Sequence, residues 1–213
     1  MSASQSPKKG TTGVAIVLDK SGSMGIARKE TVEALNAQIR TIKEKSKGTK
    51  VTLVQFNHEL LAGPIDKAPK EIKQFDMEDY RPDGLTALYD GVDYAIRLLE
   101  DAPAKEAYLV VIISDGQENS SKNINRKDLA EKIQMLQSKG NWSFSYIGAV
   151  KDLTEISKEL NIPVGNISYM DISSVAGRVD GMTRTRNATA TYFNSRAGGQ
   201  TVTCNFYNPS DED

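Results

Sequence analysis

Asp19, Ser21 and Ser23 alternate along VLDKSGSMG, residues 17–25, where an apolar run gives way to a polar turn. Far along the chain, Asp115 follows a second apolar run, VVIIS at 110–114. Thr86 lies in RPDGLTALYDG, residues 81–91, just ahead of a stretch with helical periodicity. Two carboxylates and three hydroxyls, with no His or Cys among them, form an all-oxygen donor set. Such a set suits a hard cation, Mg²⁺, Mn²⁺ or Ca²⁺, and disfavours zinc or copper. Gly22 is expected to let the backbone fold back so that both flanking hydroxyls point inward. The competing reading is a helix cap, in which Asp and Ser satisfy free N–H groups without a metal. Agreement between three separated segments favours the metal.

The elements that would position these residues follow from hydrophobic patterning. VAIVL (14–18) and YLVVII (108–113) are nearly unbroken apolar runs, the mark of strands buried on both faces of a parallel sheet. KVTLVQF and ELLAGPI flank Asn57 and His58 and read as an antiparallel hairpin, its second strand at the sheet edge because it carries Pro64. WSFSYI (142–147) supplies another strand, with a weaker one near 166–170. Helical stripes intervene: Val32, Leu35, Ile39 and Ile42; Leu88, Val92, Ala95 and Leu99; Leu129, Ile133 and Leu136; Leu153, Ile156 and Leu160. A last helix is expected near Asp171, with Ile172, Val175, Ala176 and Val179 on one face. The alternation argues for an α/β fold, an open, mostly parallel sheet between helices. In such sheets the functional crevice forms at the carboxyl ends of strands where their order reverses. If the strands ending near Asp19 and Asp115 are neighbours, the two carboxylates approach to about 5 Å. Like charges that close need a cation, a shared proton or separation. Thr86 is expected at the N-cap of the following helix, facing the same crevice.

Composition bounds the rest. With 213 residues, 38% of them hydrophobic, one domain with a sizeable core is expected. The boundaries read from the sequence are a flexible N-terminus over 1–12, the domain over 13–196, and a tail over 197–213 that ends in acidic residues. Within the tail, TVTCNFY is either an edge strand or a loosely ordered end. A formal net charge of −1 gives no global field toward nucleic acid or anionic lipid. The basic stretch KEKSKGTK ends a helix and lacks the interleaved aromatics of a nucleic-acid surface. No stretch approaches the roughly 18 apolar residues of a membrane span, and the polar start lacks a signal-peptide core, so a cytoplasmic protein is expected. Cys204 is the lone cysteine, which leaves no internal disulfide. The sequons at Asn119, Asn141, Asn166 and Asn187 are accordingly read as chance.

Several other residues carry bland expectations. Glu118 and Asn119 read as a solvated loop, FDMEDYRPDG as a charged surface loop, and Trp142 as core. His58 is expected to be exposed rather than catalytic. Met24 is either an exposed apolar contact or tucks beneath the first helix.

D-x-S-G-S after the first strand, a distant Thr before a helix, and an Asp closing a later strand resemble the metal-ion-dependent adhesion site of von Willebrand factor A domains. Asp19, Ser21, Ser23, Thr86 and Asp115 match that motif position for position. The resemblance covers about residues 13–170, and TALYDG, VIISDGQEN and WSFSYIGAV look most like small stand-alone domains of bacteria and phages. It implies a doubly wound, six-stranded sheet ordered 3-2-1-4-5-6 with strand 3 antiparallel. It also implies a metal with one coordination position open to a partner's carboxylate.

The function expected is therefore a divalent-metal-dependent protein-binding module whose metal takes an Asp or Glu from a protein partner. One alternative is a phage or bacterial assembly protein acting through its tail and sheet edge. Another, an Mg²⁺-dependent phosphohydrolase with Asp19 as nucleophile, lacks a general base in any motif, and Ser21 stands where the haloacid-dehalogenase pattern needs a second Asp.

Overall fold

The computed structural model describes residues 8–115, 118–149 and 151–207. The apolar runs form a six-stranded sheet: β1 (Lys8–Asp19), β2 (Thr49–Phe56), β3 (Leu60–Ala62), β4 (Lys105–Ser114), β5 (Trp142–Gly148) and β6 (Ile167–Tyr169). Their order is β3-β2-β1-β4-β5-β6, with β3 antiparallel to β2 at one edge and every other pairing parallel. This is the expected arrangement. Among the described residues five α-helices cover the sheet: α1 (Arg28–Lys45), α2 (Leu88–Asp101), α3 (Arg126–Ser138), α4 (Leu153–Leu160) and α5 (Val175–Ala197).

The period-2 geometry of β1 divides the core. Val14, Ile16 and Leu18 pack toward α1 and α5, together with Leu35, Ile42, Tyr192 and Phe193. Ala15 and Val17 pack the other way, toward α2, α3 and α4, with Val92, Ile96, Ile133 and Ile156. Trp142 is core, stacked on Tyr108 at 4.2 Å between ring centroids. Met24 is fully buried beneath α1. Among the described residues, no helix is long and apolar enough to cross a membrane.

Three expectations about the ends differ from what the structure shows. β1 begins at Lys8, ahead of the boundary drawn at residue 13, and residues 1–7 lie outside the described residues. The face expected for the last helix is wrong. Val175 and Val179 are 59% and 49% exposed, and the buried side instead carries Arg178, Gly181, Met182, Thr185, Ala188, Thr189, Tyr192 and Phe193. Gly181 and the Arg178–Glu30 ion pair set that register. A Cβ at 181 would stand 2.8 Å from Met170, and Arg178 Nη2 meets Glu30 Oε1 of α1 at 2.8 Å. Finally, 201–207 form no strand, yet they pack: Asn166 Nδ2 donates to Thr203 O, Phe206 N donates to Asn166 Oδ1, and Phe206 is 2% exposed. The acidic end at 208–213 lies outside the described residues.

Candidate functional site

β1 and β4 are parallel neighbours at the point where the strand order reverses, with Leu18 opposite Ile113. Asp19 is the last residue of β1, and Asp115 follows the last residue of β4. Asp19 is fully buried: its Oδ1 accepts from Ser21 N–H at 2.7 Å and its Oδ2 from Ser114 Oγ at 2.5 Å. Ser21 Oγ and Ser23 Oγ are 3.1 Å apart, and Ser23 Oγ donates to Asp115 Oδ1 at 2.8 Å. A hydrogen-bonded chain thus joins Asp19, Ser21, Ser23 and Asp115. The helix-cap reading fails here. Neither the 3-10 turn over Gly22–Ala27 nor α1 receives a side-chain cap, and the two hydroxyls turn toward each other and Asp115.

Thr86 lies on a separate loop and is 4% exposed. The N-cap of α2 is Ala87, not Thr86 as expected. Thr86 N–H instead donates to Asn119 Oδ1 at 2.9 Å, and Asn119 N–H returns a bond to Thr86 O at 3.0 Å. This loop is docked on the Asp19 turn through Gly22 N–H to Gly84 O at 3.0 Å and Asp83 N–H to Lys20 O at 2.9 Å.

The glycine that matters also differs from the expected one. A Cβ on Gly22 would make an ordinary 3.5 Å contact with Gly84 O. Gly84 has φ +71°, and a Cβ there would come within 2.2 Å of the His58 ring. His58 is exposed, as expected, but it lies against the Thr86 loop rather than apart from the site.

Burial raises both carboxyl groups above the usual aspartate range. For Asp19 burial outweighs the hydrogen bonds from Ser114 and Ser21. For Asp115 burial likewise dominates; the Ser23 hydrogen bond opposes it and the charge of Asp19 adds to it. Asp115 Oδ2 is buried without a hydrogen-bond partner among the described residues. A buried and a half-buried carboxylate, with hydroxyls between them, can share a proton or hold a cation. The donors are oxygen throughout, which fits a hard divalent ion.

Sequence reasoning missed the supports. Tyr80 OH donates to Asp19 O at 2.6 Å, and Asn57 Nδ2 donates to Asp83 O at 2.9 Å while Asn57 O accepts from Ala87 N–H at 2.8 Å. Glu118, read as solvated loop, accepts from the N–H groups of Tyr89, Ser120 and Ser121. The available signal was a polar residue directly after a buried strand, as at Asn57.

A doubly wound sheet with paired aspartates at its switch point defines a class of α/β modules. Within that class, residues 14–117 match the family model of the von Willebrand factor type A domain. Over those residues the chain is similar to a von Willebrand factor type A domain, and its sheet has that fold. Solved structures agree in fold. A von Willebrand factor type A protein from Catenulispora acidiphila is 20% identical, with 87% of this chain and 43% of that chain covered and a TM-score of 0.57. The von Willebrand factor domain of the type V pili tip protein Mfa5 from Porphyromonas gingivalis is 12% identical, with 91% and 97% covered and a TM-score of 0.63. The pilus adhesin SpaC from Lactobacillus rhamnosus GG, in its open conformation, is 11% identical, with 89% and 31% covered and a TM-score of 0.65. The chain spans less than half the length of the Catenulispora structure. No curated protein matches it.

Proposed function

We propose that this chain is a metal-dependent protein-binding module. Asp19, Ser21, Ser23, Thr86 and Asp115 hold one divalent ion, Mg²⁺ before Mn²⁺ or Ca²⁺, and a protein partner contributes an Asp or Glu side chain. The observation that carries the reading is the fully buried and the half-buried carboxylate at adjacent strand ends, one with an oxygen that lacks a partner among the described residues. A bound ion of this kind supplies a Lewis-acidic centre that an external carboxylate can complete. The chain supplies the rest: Asp19 and Asp115 give compensating charge, and the three hydroxyls are neutral donors.

The surroundings suit a protein partner. Asp19, Ser21 and Thr86 are buried, and Ser23 is exposed to solvent. Ile26 and Leu85, 61% and 56% exposed on the two docked loops, offer apolar surface beside it. The pilus adhesin with the same fold supports binding over catalysis, as does the position of the lone histidine outside the aspartate–serine chain.

The test compares capture of a host protein by the immobilised chain in Mg²⁺, in EDTA, and with Asp19→Ala. Capture is expected in Mg²⁺ alone and only by the wild-type chain. Equal capture in EDTA would remove the metal from the account.

A further inference from the structure

We propose that Asp90 is a positioning residue for the site. By gripping the loop after β4, it holds Asp115 and Thr86 in fixed relation, so divalent-ion affinity depends on a carboxylate outside the donor set. The inference rests on the metal-binding reading above.

Asp90 lies in the first turn of α2 and is 5% exposed. Its Oδ1 accepts from the N–H groups of Asn123 at 2.9 Å and Ile124 at 3.1 Å. Its Oδ2 accepts from Lys122 N–H at 2.9 Å and Asn123 Nδ2 at 3.0 Å. Its own N–H donates to Ser121 Oγ at 3.1 Å. Among the described residues no Lys or Arg pairs with it, so a buried anion is satisfied by neutral donors of one loop and the helix N-terminus. Burying a charge that way is costly unless the donors stay in place.

The same loop is bound to the same helix end at two further points. Glu118 Oε2 accepts from Tyr89 N–H at 3.0 Å, and Asn119 exchanges two hydrogen bonds with Thr86. Thr86 therefore moves with α2, and residues 118–124 are fastened to that helix end by Asp90, Glu118 and Asn119. The Asp19 turn is joined to the Thr86 loop through Lys20 and Gly22, and Tyr80 holds the Asp19 carbonyl. Thr86 and the loop over 118–124 thus form one unit, with Asp115 three positions ahead of Glu118 in the chain, and Asp90 is its most buried fastening. Loss of a group that orients metal ligands characteristically weakens affinity by about 10–100-fold.

In Asp90→Asn an amide NH₂ replaces one acceptor and faces the N–H groups of the loop, donor against donor. Mg²⁺ titration of the full chain by calorimetry, with hydrogen exchange at the amides of 122–124, reads the effect. The expected result is an affinity about 10–100-fold weaker, with faster exchange at those amides. Asp93→Asn is the control. Asp93 lies on the same helix and pairs with Arg97 and Lys132, each at 2.9 Å, without contact to the loop. It is expected to lower thermal stability and leave Mg²⁺ affinity unchanged, a split that a merely structural role for Asp90 would not produce. If Asp90→Asn does not fold, Ser121→Ala removes the acceptor of Asp90 N–H and is expected to weaken affinity several-fold. Wild-type affinity in the folded variant overturns the inference. A wild-type chain that binds no Mg²⁺ removes the underlying reading instead, and the two failures are distinguished by which protein fails.

Discussion

The two aspartates of the site are held differently. Asp19 is fully buried and both its oxygens have donors, whereas Asp115 is half-buried and keeps one oxygen without a partner among the described residues. Without a cation, the charge on Asp115 is opposed by burial and by Asp19. Asp115→Asn, which can still accept from Ser23, should therefore stabilise the chain in EDTA by less than about 1 kcal/mol, discounted because the side chain is partly solvated. In Mg²⁺ the order should reverse, with only the wild type gaining in thermal unfolding; a variant that gains equally contradicts the assignment. Gly84→Ala should cost about 2 kcal/mol, from left-handed strain together with the clash on His58. Denaturant unfolding of Gly84→Ala with His58→Ala should recover the clash and leave the strain. The chain of Asp19, Ser21, Ser23 and Asp115 was legible because short motifs display these residues. Gly84 was not, since its need for a missing Cβ comes from a histidine on a different hairpin.

At the scale of elements, periodicity reveals a helix when its buried face is apolar. The stripes of α1 to α4 met that condition, and the residues named on them are buried or pack against the core. α5 buries a guanidinium, a glycine and hydroxyls alongside its aromatics, so the apolar pattern pointed to its exposed first turn. Its docking on α1 includes the Glu30–Arg178 pair, with side chains 13% and 6% exposed. Burial pushes the Glu30 carboxyl upward, but the hydrogen bond and charge of Arg178 prevail and leave it below the usual glutamate range. A carboxyl lowered on folding adds stability above its unfolded pKa and loses it as pH falls through the folded value. Glu30→Gln should accordingly cost about 3 kcal/mol at neutral pH, and the gap from wild type should narrow as pH drops below the ordinary glutamate range. Urea unfolding of both proteins across that window measures it; a constant gap would show that the charge is irrelevant.

At the scale of the molecule, the sheet order puts the site at the switch point, and the alternation of strands and helices was enough to anticipate that crevice. The far end of the chain was not anticipated, because 201–207 pack through single residues and side-chain hydrogen bonds that carry no period. Phe206 seats in the core beside Tyr192, and Tyr207 N–H reaches Gly165 O at 3.0 Å. Phe206→Ala should cost about 3 kcal/mol, the scale of a buried aromatic truncated to Ala, and calorimetric unfolding would detect it. An unchanged transition would mean that this segment is not part of the folded unit. The site that this unit presents has a central claim open to direct measurement: titration of EDTA-stripped chain with Mg²⁺ in a calorimeter. One ion bound per chain by the wild type, and none by Asp19→Ala, is the result expected. Binding that is absent from the wild type, or undiminished in Asp19→Ala, would contradict it.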